Sequence, residues 1–136
     1  MTQFQARVLV AGETSGEILR LAEPLSLWGG LNPETGKIID QRHPNVGQIV
    51  TNKILVLPAG RGSSSASSIL LEAVRVGMAP LAIITAEVDG ILALGTAVSH
   101  EMYDHALAMF VLGFPDYDSL QTGQLAHISY DGVITI

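Results

Sequence analysis

The chain has 136 residues, of which 48% are apolar and 15% are charged, with a net charge of −6 and no cysteine. A chain this apolar is not intrinsically disordered, and an acidic chain without a basic run is poorly suited to bind nucleic acid. The absence of cysteine excludes disulfides, thiolate metal ligands and a cysteine nucleophile.

The length and the hydropathy pattern also predict the cellular location and the number of domains. No stretch approaches the roughly 20 apolar residues of a membrane helix, and the N-terminus lacks the basic start and small-residue cleavage site of a signal peptide. The length is enough to bury a core without disulfides or metal ions. We therefore expect a single cytoplasmic domain over residues 1–136 that binds neither membranes nor nucleic acid.

The first half of the chain is predicted to be rich in strands. Residues 6–13 and 16–28 are β-branched and leucine-rich, as in strands. The sequence NPETG then predicts a turn in which Gly36 takes a positive φ, followed by a short strand at residues 37–40. Ile54–Leu57 is a continuous apolar run that ends at a proline, which favours a central strand buried on both faces.

The second half alternates helices with buried strands. Residues 63–77 have apolar positions near helical spacing and end at Gly77, a typical C-cap residue. A strand is predicted at residues 79–87, a second helix at 90–107 and another buried strand at 108–114.

The last residues are predicted to form a hairpin. Asp131-Gly132 is a favoured two-residue turn between strands at residues 126–130 and 133–136. Taken together, the element order predicts a compact α/β domain with an antiparallel edge.

The segment PAGRGSSSASS, residues 58–68, lies between a predicted strand and a predicted helix. Backbone N–H groups at the start of a helix are unpaired and bind anions, and Gly60 and Gly62 would let a ligand approach the backbone closely. Arg61 adds a planar cation suited to a carboxylate or phosphate. Helix capping explains one or two of the serines, but it does not explain a run of three followed by two more.

Four segments together resemble the small swivelling domain of the aconitase X family, within the aconitase superfamily. They are PLSLWGGLNPETGKIID, HPNVGQ, LVLPAGRGSSSASSILLEAVRVGMAPLAII and DGILALGTAV, and they cover roughly residues 25–98. The resemblance implies a β/β/α swivelling domain that closes over an active site held mainly by a larger catalytic part. That part is either fused to the domain or separate, and a chain of this length resembles the separate small subunit.

The resemblance also implies a catalytic residue. The superfamily carries a Gly-Ser-Ser-Arg turn whose first serine is the catalytic base, and Gly62, Ser63 and Ser64 match its first three positions, which assigns the base to Ser63. The fourth position is Ser65 instead of arginine, so Arg61 is the nearest replacement for the missing cation. The donors of the same turn predict that Arg61, Gly62, Ser64 and Ser65 bind the substrate. Which serine of 63–65 loses its proton stays open.

Iron, as a cluster or a single ion held by cysteines, is the electrophile in this superfamily. A chain without cysteine cannot hold such a cluster through thiolates, so we expect the large subunit to carry the iron and this chain to bind no metal and to be inactive alone. Family members dehydrate cis-3-hydroxy-L-proline or phosphomevalonate, and the GRGSSS turn favours the former. The alternative from another class is a noncatalytic anion-binding or regulatory module.

Other polar and aromatic residues have simpler interpretations. His43 is predicted to be a solvated loop histidine, Trp28 a core or interface anchor, and Glu72 with Arg75 a surface ion pair. Four metal-competent side chains are assigned to an exposed helix end instead of a metal site: His100, Glu101, Asp104 and His105.

Overall fold

The computed structural model describes residues 2–61, 65–103 and 107–136. Its strands are β1 (Gln3–Gln5), β2 (Arg7–Val10), β3 (Thr14–Arg20), β4 (Leu31–Asn32), β5 (Lys37–Ile38), β6 (Ile54–Leu57), β7 (Ala82–Thr85), β8 (Ala108–Val111), β9 (Leu125–Ile128) and β10 (Val133–Thr135). Its helices are the distorted turn α1 (Leu27–Gly30), α2 (Ala66–Val76), α3 (Gly90–Met102) and a 3-10 helix at Asp116–Ser119. None of the helices in these ranges is long and apolar enough to span a membrane.

Eight strands form one mixed sheet in the order β1-β10-β9-β3-β6-β7-β8-β2. Strands β3, β6, β7 and β8 run parallel to one another, while β9, β10 and β1 on one side and β2 on the other pair antiparallel. The two end strands, β1 and β2, are separated along the chain by Ala6 alone, so the two edges of the sheet must lie close together. The sheet therefore curls into a barrel-like form.

The buried strands separate two hydrophobic clusters. Along β6, Leu55 and Leu57 pack into a cluster with residues of α2 and α3, whereas Ile54 and Val56 pack into a second cluster inside the curled sheet. Successive strand residues point to opposite faces, so a continuous apolar run can serve both clusters at once. All four residues of β6 are buried, which confirms the prediction for this strand.

The main helices and the C-terminal hairpin were predicted correctly, with shifted ends. The helix predicted at 63–77 is α2, and Gly77 forms its C-cap with a φ of 80°. The helix predicted at 90–107 is α3, which ends at Met102. Residues 63, 64 and 104–106 of these predictions lie outside the described part of the chain.

The N-terminal strands differ most from the prediction. The strand predicted at residues 6–13 is β2, and β1 before it was missed. The strand predicted at 16–28 is β3, which ends at Arg20. Pro24 follows soon after, and a proline lacks the N–H that a strand inside a sheet must donate, which is consistent with the early end.

Candidate functional site

A cleft of about 390 Å³ lies at the carboxyl ends of β6 and β7. Its wall is formed by the segment before α1, the segment after β6 and the loop from β7 into α3, and its lining includes Leu25, Leu27, Gly60, Arg61, Glu87 and Asp89. The carboxyl end of parallel strands is where α/β sheets hold their ligands. This cleft is therefore the candidate functional site.

The segment after β6 is held by backbone hydrogen bonds from both sides. Ala86 donates its N–H to the Pro58 carbonyl at 3.1 Å, and Arg61 donates its N–H to the Leu25 carbonyl at 3.2 Å. Leu25 and Gly60 also form an isolated parallel bridge. These contacts fix the path of the backbone up to Arg61, the residue before Gly62.

Asp89 connects this segment to α3. Its Oδ2 accepts a hydrogen bond from the Gly60 N–H at 2.8 Å, while its Oδ1 accepts from the N–H groups of Ile91 and Leu92 at 3.1 and 3.0 Å. Asp89 is thus the N-cap of α3 and, at the same time, a hydrogen-bond partner of the segment after β6. Asp89 was not among the predicted site residues, although aspartate before an apolar helical pattern is a recognised N-cap signal.

Gly60 lies so close to Asp89 that a side chain at this position would displace the carboxylate. A Cβ atom built on Gly60 would lie 2.6 Å from Asp89 Oδ2, well inside van der Waals contact. The approach of the two segments therefore depends on the missing side chain.

The structure describes two of the five predicted site residues, Arg61 and Ser65. Arg61 lies at the cleft lining and is exposed, so its guanidinium is available to an anionic ligand. Ser65 is the residue before α2, and its carbonyl accepts hydrogen bonds from the N–H groups of Ser68 and Ile69. Gly62, Ser63 and Ser64 lie outside the described residues, so their assignment stays a prediction.

Charges of both signs surround the cleft. Glu87 and Asp89 contribute carboxylates and Arg61 contributes a guanidinium. Among the described residues, no group of three or more His, Cys, Asp or Glu side chains is placed to hold a metal ion.

The prediction of a solvated His43 was wrong. Its side chain is 4% exposed, and both ring nitrogens are paired. Nδ1 accepts from the Asn45 N–H at 3.0 Å, so Nε2 carries the proton and donates to the Glu23 carbonyl, also at 3.0 Å. A buried histidine with both nitrogens paired is a structural residue that holds two loops together.

The other predictions on single residues had mixed outcomes. Trp28 is 60% exposed, so its interpretation as a core residue was wrong, and its role as an interface anchor stays a prediction. The surface pair of Glu72 and Arg75 is confirmed, and the hydrogen bond from Arg75 lowers the pKa of the Glu72 carboxyl. His100, at the end of α3, is exposed and pairs with the Leu107 carbonyl at 3.0 Å.

A curled mixed sheet with two helices packed on it, and a glycine and serine segment at the carboxyl end of a parallel strand, defines a swivel-type α/β domain. The family model described as the aconitase X swivel domain matches residues 3–136. The chain belongs to this family, which confirms the resemblance deduced from its motifs.

Relatives of known name support the same assignment. Cis-3-hydroxy-L-proline dehydratase of Pseudomonas aeruginosa is 45% identical over 107 residues, which are 79% of this chain and 18% of that protein. The phosphomevalonate dehydratase small subunit of Methanothermobacter thermautotrophicus is 36% identical over 97 residues, 71% of this chain and 74% of that subunit. The chain therefore spans less than a fifth of the first relative and about three quarters of the second.

A solved structure shares the whole fold. The crystal structure of Thermococcus kodakaraensis aconitase X in its holo-form superimposes with a TM-score of 0.89 at 32% identity, covering 100% of this chain and 98% of that one. The predicted β/β/α swivel fold is thereby confirmed.

Proposed function

We propose that this chain is the swivel-domain component of an aconitase X-type dehydratase and works as a small subunit with a larger catalytic partner. The observation that carries the proposal is the family match over nearly the whole chain, to a family whose named relatives are dehydratases. The position of Arg61 at the cleft supports the proposal, because the predicted catalytic turn, residues 62–65, follows Arg61 directly in the sequence. We place the complex in the cytoplasm.

The substrate that we propose is cis-3-hydroxy-L-proline. The 45% identity to the Pseudomonas aeruginosa dehydratase of that compound supports this choice. Phosphomevalonate is the second candidate, because the relatives named as separate small subunits are phosphomevalonate dehydratases and are close to this chain in length.

In the proposed reaction, a base removes the proton on the carbon next to the carboxylate, and the hydroxyl on the neighbouring carbon leaves to form a double bond and water. We assign the base to Ser63. A serine hydroxyl is weakly acidic, so it can act as a base only where positive charge and N–H donors stabilise its oxyanion. Among the described residues, Arg61 and the N-terminal end of α2 can supply them.

An electrophile must assist the departure of the hydroxyl, and iron supplies this in the superfamily. The residues of this chain do not fit such a centre, since it has no cysteine and its described residues offer no cluster of metal ligands. We therefore assign the iron to the larger partner, and the cleft of this chain to the substrate and the base.

The test is a serine substitution in the reconstituted complex. Ser63→Ala should lower kcat by about 10²–10⁴-fold, the usual contribution of a general base. Ser68→Ala, on the exposed side of α2, is the matched control and should keep the parental rate.

If Ser63→Ala retains the parental rate, the base assignment is wrong. If the parental complex turns over neither cis-3-hydroxy-L-proline nor phosphomevalonate, the noncatalytic anion-binding module becomes the better interpretation.

A further inference from the structure

We propose that Ser15 is a nucleophile, activated by His127 and Glu13, that takes the acyl group of a short-chain ester or thioester. The three side chains form a row of hydrogen bonds on the outer face of the sheet. They lie near the amino end of β3, whereas the cleft lies at the carboxyl ends of the parallel strands beside it. The site is thus separate from the cleft, and it does not depend on the proposed dehydratase function.

The register of the sheet brings the serine and the histidine together. The pairing of β3 with β9 places Ser15 directly opposite His127, and side chains in this relation are close enough to interact. Along β9, Ala126 and Ile128 are buried in the cluster inside the curled sheet, so His127 between them points outward. Ser15 is exposed on the same outer face, and Glu13 lies two residues before it in the sequence.

The hydrogen bonds make Nδ1 the basic nitrogen of His127. Glu13 Oε2 lies 3.2 Å from His127 Nε2, and a carboxylate only accepts hydrogen bonds, so Nε2 carries the proton of the neutral ring. Nδ1 then has a lone pair, and the Ser15 hydroxyl donates to it at 2.7 Å. A serine that donates its proton to a histidine, which a third group orients in turn, is the arrangement of an activated nucleophile.

The next carboxylate along β3 has a different partner. Glu17 lies two residues after Ser15, and its Oε1 is 3.3 Å from Lys53 Nζ. Glu17 is therefore engaged by a lysine, and Glu13 is the carboxylate that orients His127.

A reagent in solution can reach this site. His127 is 48% exposed and Glu13 is 62% exposed, and Ser15 is exposed as well. Glu13 also lines a cavity of about 400 Å³, whose wall includes the apolar side chains of Val74 and Leu81. This volume is within the range of small-molecule sites, and an apolar wall suits the carbon chain of a short acyl group.

Acyl transfer to Ser15 needs no further reagent. The Ser15 Oγ forms a bond with the carbonyl carbon of the donor, while its proton passes to His127 Nδ1. The bond between that carbon and the leaving oxygen or sulfur breaks, and the leaving group takes up the proton. The products are an ester of Ser15 and a free alcohol or thiol.

The test uses the whole chain and p-nitrophenyl butyrate, an activated ester. Peptide mapping by mass spectrometry of acid-quenched samples should locate a butyryl group on Ser15. The absorbance of p-nitrophenolate measures the rate, and the difference between the parent and Ser15→Ala is the part that depends on Ser15. His127→Gln should lower this part by about 100-fold, the lower end of the usual contribution of a general base, because glutamine cannot take up the proton.

Glu13 is a positioning residue, since it acts through His127. Glu13→Gln keeps the size of the side chain in the cavity wall but removes the charge. It should lower the maximal rate at saturating ester by about tenfold, less than in a buried triad because water screens this carboxylate. The ester concentration that gives half of the maximal rate should stay unchanged, because the cavity keeps its shape.

Two variants are matched controls. Ser119→Ala removes another exposed serine, in the 3-10 helix, and His100→Gln makes the same substitution at another exposed histidine. Both should keep the parental rate.

Three results would overturn the proposal. If Ser15→Ala releases p-nitrophenolate at the parental rate, Ser15 is not the nucleophile. If His127→Gln keeps the part of the rate that depends on Ser15, the serine is exposed but not activated. If the butyryl group is found on His127 or on lysines and never on Ser15, the acyl group does not reach the serine. The dehydratase assay with Ser63→Ala reports on the cleft independently of all three.

Discussion

Tyr117, in the 3-10 helix, is buried together with its hydroxyl group. It is 1% exposed in the cluster inside the curled sheet, and its hydroxyl has no hydrogen-bond partner among the described residues. The Arg20 guanidinium lies 4.8 Å from its ring centroid. Burial raises the pKa of Tyr117 to about 12, and the nearby Arg20 cation offsets only part of this rise.

This pKa predicts a loss of stability in alkali. The unfolded chain deprotonates Tyr117 near pH 10 while the folded chain holds the proton until about pH 12. The unfolded state then binds fewer protons, so the free energy of unfolding should fall by about 1.4 kcal/mol per pH unit in this window. Denaturant titrations at several pH values measure this slope.

Tyr117→Phe should remove the part of the fall in the free energy of unfolding between pH 10 and 12 that comes from Tyr117. At pH 7 it should raise the free energy of unfolding by about 1 kcal/mol, because it deletes a buried hydroxyl that lacks a partner. Tyr130→Phe, at a position 68% exposed, is the control. Parallel stability curves for Tyr117→Phe and the parent above pH 10 would contradict the assigned pKa.

Single residues of the site were predictable only where the signal was local. Arg61 stands out because it interrupts a glycine and serine segment, and the structure places it at the cleft. Asp89 was missed because its bond to Gly60 joins residues far apart in sequence, and His43 was misjudged because its burial depends on how two loops meet. Side-chain contacts between distant segments leave no periodic pattern to detect.

At the scale of elements, α1 at the cleft rim presents an exposed tryptophan that another protein could contact. Leu27 is buried and lines the cleft, while Trp28 beside it points outward and is 60% exposed. Gly29 has a φ of 78°, and the space around it is open, so the turn projects from the surface. Exposed tryptophans of this kind are frequent anchors of protein interfaces.

We predict that Trp28→Ala weakens assembly without unfolding the chain. Its dissociation constant for the larger subunit should rise by at least about 30-fold, equivalent to about 2 kcal/mol. The free energy of unfolding of the chain alone should change by less than about 0.5 kcal/mol, because the side chain is exposed. Isothermal titration calorimetry and denaturant unfolding measure the two quantities.

Leu125→Ala is the control for this prediction, since Leu125 is 76% exposed on β9 and lies outside the cleft lining. Equal affinities for Trp28→Ala and Leu125→Ala would show that α1 is not an anchor.

Elements were predictable where a clear hydropathy pattern covers the whole element. The helices α2 and α3 and the buried strand β6 have patterns that extend over whole elements, and each was found in place. The strand β1 was missed because three residues, QFQ, carry too little pattern. It exists because β10 offers a pairing edge at the far end of the chain.

At the scale of the whole molecule, the closure of the sheet could not be deduced from periodicity. The α/β core follows from alternating buried strands and amphipathic helices. The barrel-like form instead depends on Ala6, which joins strands at opposite ends of the sheet, and on pairings such as Gln3 with Thr135. The family resemblance was needed to expect a swivel domain, because it carries this long-range information.

The whole-molecule proposal is that a swivel domain contributes a base to an active site whose metal lies on another chain. The cleft of this chain has one guanidinium and two carboxylates and shows no metal cluster in its described residues. On this account neither chain has a complete site, and activity belongs to the complex.

The most direct test is a titration of the iron-loaded larger subunit with this chain, in which the formation of the dehydrated product from cis-3-hydroxy-L-proline is followed. The account predicts no turnover by either chain alone and a rate that rises with added chain until it saturates. A larger subunit whose full rate is reached without this chain, although the two proteins bind each other, would contradict it.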